Sequence, residues 1–340
     1  MEYFSHILIQ MNVEWKKEDY VLIIGSSNMD LIIYSKRFPE PGETVTGGTF
    51  HQFLGGKGAN QAVASARSGA HTIFISKIGE DMFGDKMISQ LREEGIDITR
   101  IIRDSEHASG IAFIMVNKSG ENLISVAPGA NFHLSPEEIR NHSELIGNAK
   151  VVVVQMELPI NTISEVFKIA MKGQTIKILN PAPLKNIPEG TLKNIDIIIP
   201  NEGELLKLNA LLGYSDFKHK EEYSFQELER ASRNVSSIGI DYLITTIGSK
   251  GCLLYERRED IFTHFPAYPV KPIDTVGAGD CFNGVLACKL NQGKDIKEAI
   301  QYGISAASIA VTRKGAQASM PLQDEIEKRY KEYKKLIENT

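Results

Sequence analysis

Short, mostly apolar runs closed by glycine or polar residues recur along this chain. Val21-Leu22-Ile23-Ile24, fully apolar, stops at Gly25; Ile73-Phe74-Ile75, Val151–Met156, Ile176–Leu179, Ile195–Ile199 and Tyr242–Thr246 are similar short runs, the last four with a polar residue or two among the apolar ones. Runs that are apolar at nearly every position, and rich in Val and Ile, predict strands buried on both faces. In the second half, segments of helical character separate them. That alternation predicts a doubly wound, mostly parallel α/β sheet flanked by helices. Helix signals lie between the runs. Gly55-Gly56-Lys57-Gly58-Ala59-Asn60 opens an alanine-rich helix over Asn60–Ser68. Asp81 precedes Phe83, Met87, Ile88 and Leu91 at helical spacing, with Gly95 as the stop. Ser135-Pro136-Glu137-Glu138 is a capping box with proline at the first helical position. Ser305 to Ser319 starts as a small-residue helix, and Asp324–Asn339 predicts a charged helix with a solvated outer face.

Two stretches break the rhythm. Leu31–Phe53 carries Pro39, Pro41, Gly42, Gly47 and Gly48 among β-formers, and Ile111–Val116 and Asn122–Val126 flank the turn-like Asn117-Lys118-Ser119-Gly120. Together, residues of about 31–54 and 110–128 predict a small β-sheet standing off the main body. Such a sheet could serve as a lid, or as a dimerisation surface if its apolar face is left uncovered. Residues 1–20 carry Glu2, Glu14, Lys16, Lys17, Glu18 and Asp19, which suits a loose extension better than a signal peptide, so the α/β domain spans 21–340. Gly213–Phe225, rich in charge and aromatic residues, reads as a surface insertion.

Composition narrows the field without choosing a function. A net charge of −5 gives no reason to expect nucleic acid or an anionic membrane as partner. Cys252, Cys281 and Cys288 lack the spacing of a disulfide framework or a zinc site, which fits a reducing, cytoplasmic setting. No apolar run approaches the length of a membrane span.

Candidate chemistry gathers where strands end. Ser26-Ser27-Asn28-Met29-Asp30 forms a polar loop at the carboxyl end of the first strand, the edge where open parallel sheets collect ligands. Asn28 and Asp30 could turn the chain; Asp30 could equally accept two hydrogen bonds from a sugar diol. Lys57 and Asn60, at a helix start without P-loop spacing, could hold a polyhydroxy or phosphorylated ligand. Glu157, Asn180, Asn201, Glu204, Thr246, Gly248 and Gly251 also follow strands. The densest stretch is Asp274-Thr275-Val276-Gly277-Ala278-Gly279-Asp280, leading into a helix over Phe282–Leu290. Small residues there admit a close ligand, and a helix start suits an anion. Asp280 at that place is either a helix N-cap or a reacting carboxylate.

With these residues assembled, the chain resembles the ribokinase family of carbohydrate kinases from about Val21 to about Ile326. The motifs that carry the resemblance are Asn28-Met29-Asp30, Pro41-Gly42-Glu43-Thr44, Gly55–Asn60, Glu157, Asn201 with Glu204, the Thr246–Gly251 turn, Asp274–Asp280 and Thr312-Arg313-Lys314-Gly315. The resemblance implies a ribokinase-like α/β core with a β-sheet lid that pairs subunits as a homodimer. It implies ATP-dependent phosphorylation of D-ribose at the 5-hydroxyl. Asn28, Asp30, Gly56, Lys57, Gly58, Asn60 and Glu157 would hold the sugar, with Asp280 as base. Asn201, Thr246, Gly248, Ser249, Gly251 and Gly279, with Asp280, would hold ATP, and Gly277, Ala278, Gly279 and Asp280 would form an anion hole. Asn201 and Glu204 would organise Mg2+ through water. A K+ ion would be held by the Asp274 side chain, carbonyls near Val276, Ala310, Arg313 and Gly315, and Ser319. Alternatives are a kinase for another sugar or nucleoside, such as 2-deoxyribose, fructose or adenosine, and a non-catalytic sugar-binding regulator. A nicotinamide dehydrogenase is disfavoured, because Gly25-Ser26-Ser27-Asn28 lacks the G-x-G-x-x-G spacing. Three departures from the family pattern stand out: Ile304, where a polar residue often stands near the base; Val285, in place of a smaller residue; and the 213–225 stretch together with the extension before Tyr20, which have no counterpart in it.

Overall fold

The computed structural model describes residues 19–215, 220 and 222–338. Most of the expected extension (1–18), residues 216–219 and 221 of the expected insertion, and Asn339 of the last helix lie outside the described residues.

The apolar runs become one sheet of eight strands. Across it lie Ile261–Phe265, Cys252–Glu256, Tyr242–Thr246, Ile197–Ile198, Ile176–Asn180, Val151–Gln155, Val21–Ile24 and Thr72–Ile75. The six strands from Tyr242–Thr246 to Thr72–Ile75 are parallel, and the hairpin of Cys252–Glu256 and Ile261–Phe265 closes one edge antiparallel. Successive residues of the central strands feed opposite layers. Leu22, Ile24, Val152 and Val154 join one buried cluster, and Val21, Ile23, Val151 and Val153 join the other. A run apolar at every position therefore marks a strand with two cores. Ile195–Ile199 pairs over Ile197–Ile198 alone, with its flanking isoleucines still buried.

A second sheet of four strands stands apart, in the order Thr49–Gly55, Asn28–Tyr34, Gly110–Val116, Asn122–Ala127. Here the structure corrects the sequence reading. Asn28, Met29 and Asp30 are not a loop but the first residues of a strand, because the chain leaves the central sheet at Gly25-Ser26-Ser27 and pairs at once with two new neighbours. Met29 roots this sheet in a small cluster with Ile78 and Met87, and Phe83 and Ile88 pack around it.

Three helices form the wall behind the site: Lys57–Arg67, Ala278–Asn291 and Ile296–Ala310. Gly284 lets the first two touch, since a Cβ there would lie 2.4 Å from the Gln61 carbonyl oxygen. That crossing, one turn beyond Asp280, sets Asp280 beside Asn60 and Gln61. Val285, the bulkier departure, is fully buried in the same wall. The last helix, Gln323–Glu338, is less solvated than expected. Ile326, Tyr330 and Tyr333 are buried at one-turn spacing, and the Tyr333 hydroxyl donates to the Pro266 carbonyl at 2.7 Å.

Candidate active site

On one side of the helix wall, buried polar groups converge. Asn28 accepts at Oδ1 from Asn131 Nδ2 at 2.8 Å, and Asn131 also bridges the Ser27 amide and carbonyl. Glu157 follows the strand Val151–Gln155 and lies at the start of helix Lys57–Arg67. Its Oε2 accepts from the Lys57 amide at 3.0 Å and from Ser26 Oγ at 2.5 Å. An unpaired amide at a helix start is a natural seat for a carboxylate. Gly58 packs on Gly25, and Gly56 on the Ser27–Asn28 backbone, so the two motifs share one pocket wall. Asp30 enters from the second sheet. Burial first, then the Glu157 and Asp280 carboxylates, push its pKa up to about 7. Lys57 is held protonated above its ordinary value, chiefly by Asp280 and further by Glu157 and Glu204, against the effect of burial.

Asp280 is the hinge between the two sides. The sequence left open a helix cap, and the structure excludes it. The helix starts at Ala278, Gly277 is the N-cap in a left-handed conformation with φ of 74°, and Asp280 stands in the first turn. The helix thus begins inside the small-residue run rather than at Phe282, because Gly277 turns the chain and Ala278 and Gly279 already complete the first turn. The Asp280 carboxylate accepts from Asn60 Nδ2 and Gln61 Nε2, both at 2.9 Å. Its side chain is buried. The Ala278 amide donates to the Thr275 carbonyl at 3.3 Å, and the Gly279 and Asp280 amides, in the first turn, have no acceptor inside the helix, an arrangement that suits an anion.

On the other side opens a cleft of about 630 Å³. Asn201, Thr246, Gly248, Ser249, Gly251 and Gly279, separate in the sequence, all line it. Asp280 does not; its carboxylate turns toward the pocket side. Asn201 and Glu204 act on each other as a capping box: the Asn201 amide donates to Glu204 Oε2 at 2.9 Å and the Glu204 amide to Asn201 Oδ1 at 2.8 Å. Burial raises the Glu204 pKa above its ordinary value, and the Asn201 amide and Lys57 work against that.

Beside the cleft, the 273–276 strap is stitched to the 310–319 turn. The Ile273 amide donates to the Val311 carbonyl at 2.7 Å, and Asp274 accepts from the Val276 amide at Oδ1 (3.0 Å) and the Gly315 amide at Oδ2 (2.9 Å). Ala310 accepts from the Arg313 amide, Ser319 Oγ donates to the Ala316 carbonyl, and the Arg313 guanidinium pairs with Glu325. The set offers a carboxylate, backbone carbonyls and a hydroxyl, the hard oxygen donors that suit an alkali ion. Among the described residues no group of three or more His, Cys, Asp or Glu is gathered as a metal cage.

Some contributors escaped the sequence. Gln61, bonded to Asp280, and Gln155, bonded to Gln61, are fully buried, and each carried a faint signal: an amide inside an alanine helix and an amide closing a run of valines. Tyr223, in the stretch taken for an insertion, is buried and lines the cleft with Tyr268. Phe225 in that stretch begins the helix Phe225–Ser236 behind a Ser224 capping box, so the stretch is in part a helix start. Ile304 lines the cleft too.

An α/β core, a small outer sheet over a polar pocket, and an acidic residue in a glycine-opened helix turn beside a cleft define a phosphotransferase acting on a hydroxyl compound. Residues 18–323 match the family described as pfkB family carbohydrate kinase, and the chain belongs to that family. A ribokinase of Staphylococcus aureus is 39% identical over 308 residues, 90% of this chain and 98% of the relative. A deoxyribokinase of Salmonella typhi is 34% identical, over 88% of this chain and 95% of the relative. The solved Arabidopsis thaliana ribokinase complexed with ribose and ATP superimposes with a TM-score of 0.85 at 30% identity, covering 92% of this chain and 99% of that one.

Proposed function

We propose that this chain phosphorylates D-ribose with ATP, giving D-ribose 5-phosphate and ADP. The observation that carries the reading is the Asp280 carboxylate, buried at the junction of pocket and cleft and set in the first turn behind Gly277. Asn28, Asp30, Lys57, Asn60 and Glu157, with the close backbone of Gly56 and Gly58, hold the sugar so that its O5 meets Asp280. ATP lies in the cleft against Asn201, the Thr246–Gly251 turn and Gly279. As the O5–Pγ bond forms and the bond from Pγ to the bridging oxygen breaks, Asp280 takes the O5 proton. The Gly277–Asp280 turn turns its amides on the phosphoryl oxygens. A positioned base of this kind contributes roughly 10²–10⁴ in rate.

Two cations fit the residues present. Asn201 and Glu204 each spend an oxygen on their capping box, so they suit Mg2+ through its waters rather than as a full cage. Magnesium, when bound, offsets the charge of the triphosphate. K+ suits the Asp274 carboxylate with carbonyls of Val276, Ala310, Arg313 and Gly315 and the Ser319 hydroxyl, steadying the loop that carries the anion hole. Three unpaired, buried cysteines accord with a cytosolic enzyme. The outer sheet is assigned as a lid over the sugar and as the surface on which a second copy docks. Asn122–Ala127 is exposed throughout, and Leu123, Ile124 and Val126 are apolar.

The deoxyribokinase relative favours a second reading, 2-deoxyribose as acceptor. The deciding assay follows ADP release with ATP and Mg2+ across ribose, 2-deoxyribose, fructose and adenosine, in K+ or a large organic cation. Ribose should lead, with stimulation by K+. A different leading sugar would move the error to the Asp30 pocket, and equal rates in both cations would remove the K+ site. Asp280→Asn should lower kcat by about 10²–10⁴ while ribose still binds; near-normal turnover would refute the mechanism.

A further inference from the structure

Behind Asp280 runs a chain of buried amides that none of the roles above uses. Gln61 Nε2 donates to Asp280 Oδ1 at 2.9 Å and to Asn180 Oδ1 at 3.1 Å. Its Oε1 accepts from Gln155 Nε2 at 2.7 Å. Asn180 Nδ2 in turn donates to the Ile199 carbonyl at 2.9 Å. Gln61 and Gln155 have no solvent exposure. Gly25 makes the room, since a Cβ there would lie 2.1 Å from Gln155 Oε1.

The chain has one sense. A backbone carbonyl can only accept, so the Asn180 nitrogen must face Ile199 and its oxygen must face Gln61. Gln61 must then present its nitrogen to Asn180 and, with the remaining hydrogen, to the carboxylate. Turning the Gln61 amide would set its oxygen against two acceptors and its nitrogen against the Gln155 donor. Turning Gln155 would set oxygen on oxygen. The strand ends at residues 155 and 180 therefore lock a donor against one oxygen of Asp280. The other oxygen, Oδ2, is bonded by Asn60 Nδ2, and Asn60 Oδ1 is buried without a hydrogen-bond partner. Of the two partners of Asp280, Asn60 thus keeps an unmet acceptor for a ligand, whereas Gln61 has every polar group engaged; the other unmet atom of the chain, Gln155 Oε1, lies at its far end, away from Asp280.

We propose that Gln61, locked by Gln155 and Asn180, is the positioning residue of the reaction, holding Asp280 Oδ1 so that Oδ2 is the atom that receives the sugar proton. The inference rests on the reading of Asp280 as base. It separates two neighbours in sequence: Asn60 can serve ligand through Oδ1 and base through Nδ2, and Gln61 serves the base alone. A buried amide network kept for packing would affect stability; one that aims a carboxylate affects the chemical step.

The test compares kcat, KM and the pH profile of Gln61→Met and Gln155→Met with those of the parent enzyme. Gln61→Met keeps the length and removes the donor. Its kcat should fall about 10- to 100-fold, the scale of one lost charge-assisted hydrogen bond at a reacting group. KM for ribose and ATP should stay within about threefold, and the acid limb of the kcat profile should move to higher pH. Gln155→Met, which does not touch Asp280, should show the same pattern more weakly, and it carries the test if Gln61→Met does not fold. In an Asp280→Asn background, Gln61→Met should cost little more, because the two act as a unit. A lowered melting temperature with kcat and pH profile unchanged would overturn the proposal, as would a rise in KM at constant kcat. Should Asp280→Asn itself remain active, the base assignment fails; should it be inactive while Gln61→Met behaves as the parent, the positioning role alone fails.

Discussion

The two sheets of this protein are built from similar residues and end in opposite states. The central sheet is sealed, with both faces of Val21–Ile24 and Val151–Gln155 fully buried. The outer sheet is sealed only at its root, around Met29, Ile78 and Met87. Further out, Ile124 is 58% and Val126 52% exposed. Register makes the contrast functional. Asp30 pairs with Ala112, Ile32 with Ile114, Ala112 with Val126 and Ile114 with Ile124, so Asp30 shares a face with the exposed apolar residues. The central sheet supplies stability and places Glu157 and Asn201. The outer sheet carries the Asp30 carboxylate, proposed to face the sugar, at one end and an uncovered apolar face at the other, as expected of a part that moves or docks.

Removing the carboxylate tests the substrate end of that contrast and should give the largest effect. Asp30→Asn leaves the fold and Asp280 in place but weakens acceptance from a vicinal diol. In ribose kcat/KM it should cost about 5- to 150-fold, corresponding to about 1–3 kcal/mol for one mismatched buried polar contact. The loss for 2-deoxyribose should be smaller, so the ratio between the sugars should fall toward unity. A ratio unchanged by Asp30→Asn would separate Asp30 from sugar selection.

The apolar end gives the next effect. A charge at Ile124 should be tolerated by an exposed position within the monomer yet disrupt a face-to-face pairing of two copies. Light scattering at micromolar concentration should give a dimer mass for the parent and a monomer mass for Ile124→Asp, with ribose KM raised if the partner helps to close the lid. A parent that is monomeric, or a variant that remains dimeric, would remove the outer sheet as the docking surface.

The same contrast explains what the sequence could convey. Buried parallel strands announce themselves because both faces select apolar residues, so Val21–Ile24, Val151–Gln155 and Tyr242–Thr246 were legible almost to the residue. The outer sheet was legible as a region but not in its start. Asn28 and Asp30 look like loop residues because a polar strand that lines a site lacks the apolar alternation by which half-buried strands are recognised. The site residues that contact ligand in the proposed scheme stood at strand ends and glycine turns, where position alone makes them candidates. Gln61 and Gln155 were opaque for a different reason. Their role depends on which groups three separate elements bring together, and no local pattern encodes that.

The smallest effect is a matter of protons, and it bears on the outer sheet alone. Burial, with Glu157 and Asp280 nearby, lifts Asp30 from an ordinary 3.8 to about 7. Between those values the folded chain keeps a proton that the unfolded chain releases. The group's contribution to stability is therefore fully present below 3.8 and is lost as pH rises through about 7. Asp30→Asn lacks this dependence, so its melting temperature should gain on that of the parent as pH climbs across the window. Ribose should show the opposite trend. If the carboxylate, rather than the acid, accepts from the diol, parent KM should fall as pH passes through about 7, and the Asp30→Asn variant should lose that limb. Parallel melting curves for the two proteins from pH 4 to 8 would show that Asp30 titrates as an ordinary exposed carboxylate, and that the outer sheet does not bury the end it brings to the sugar.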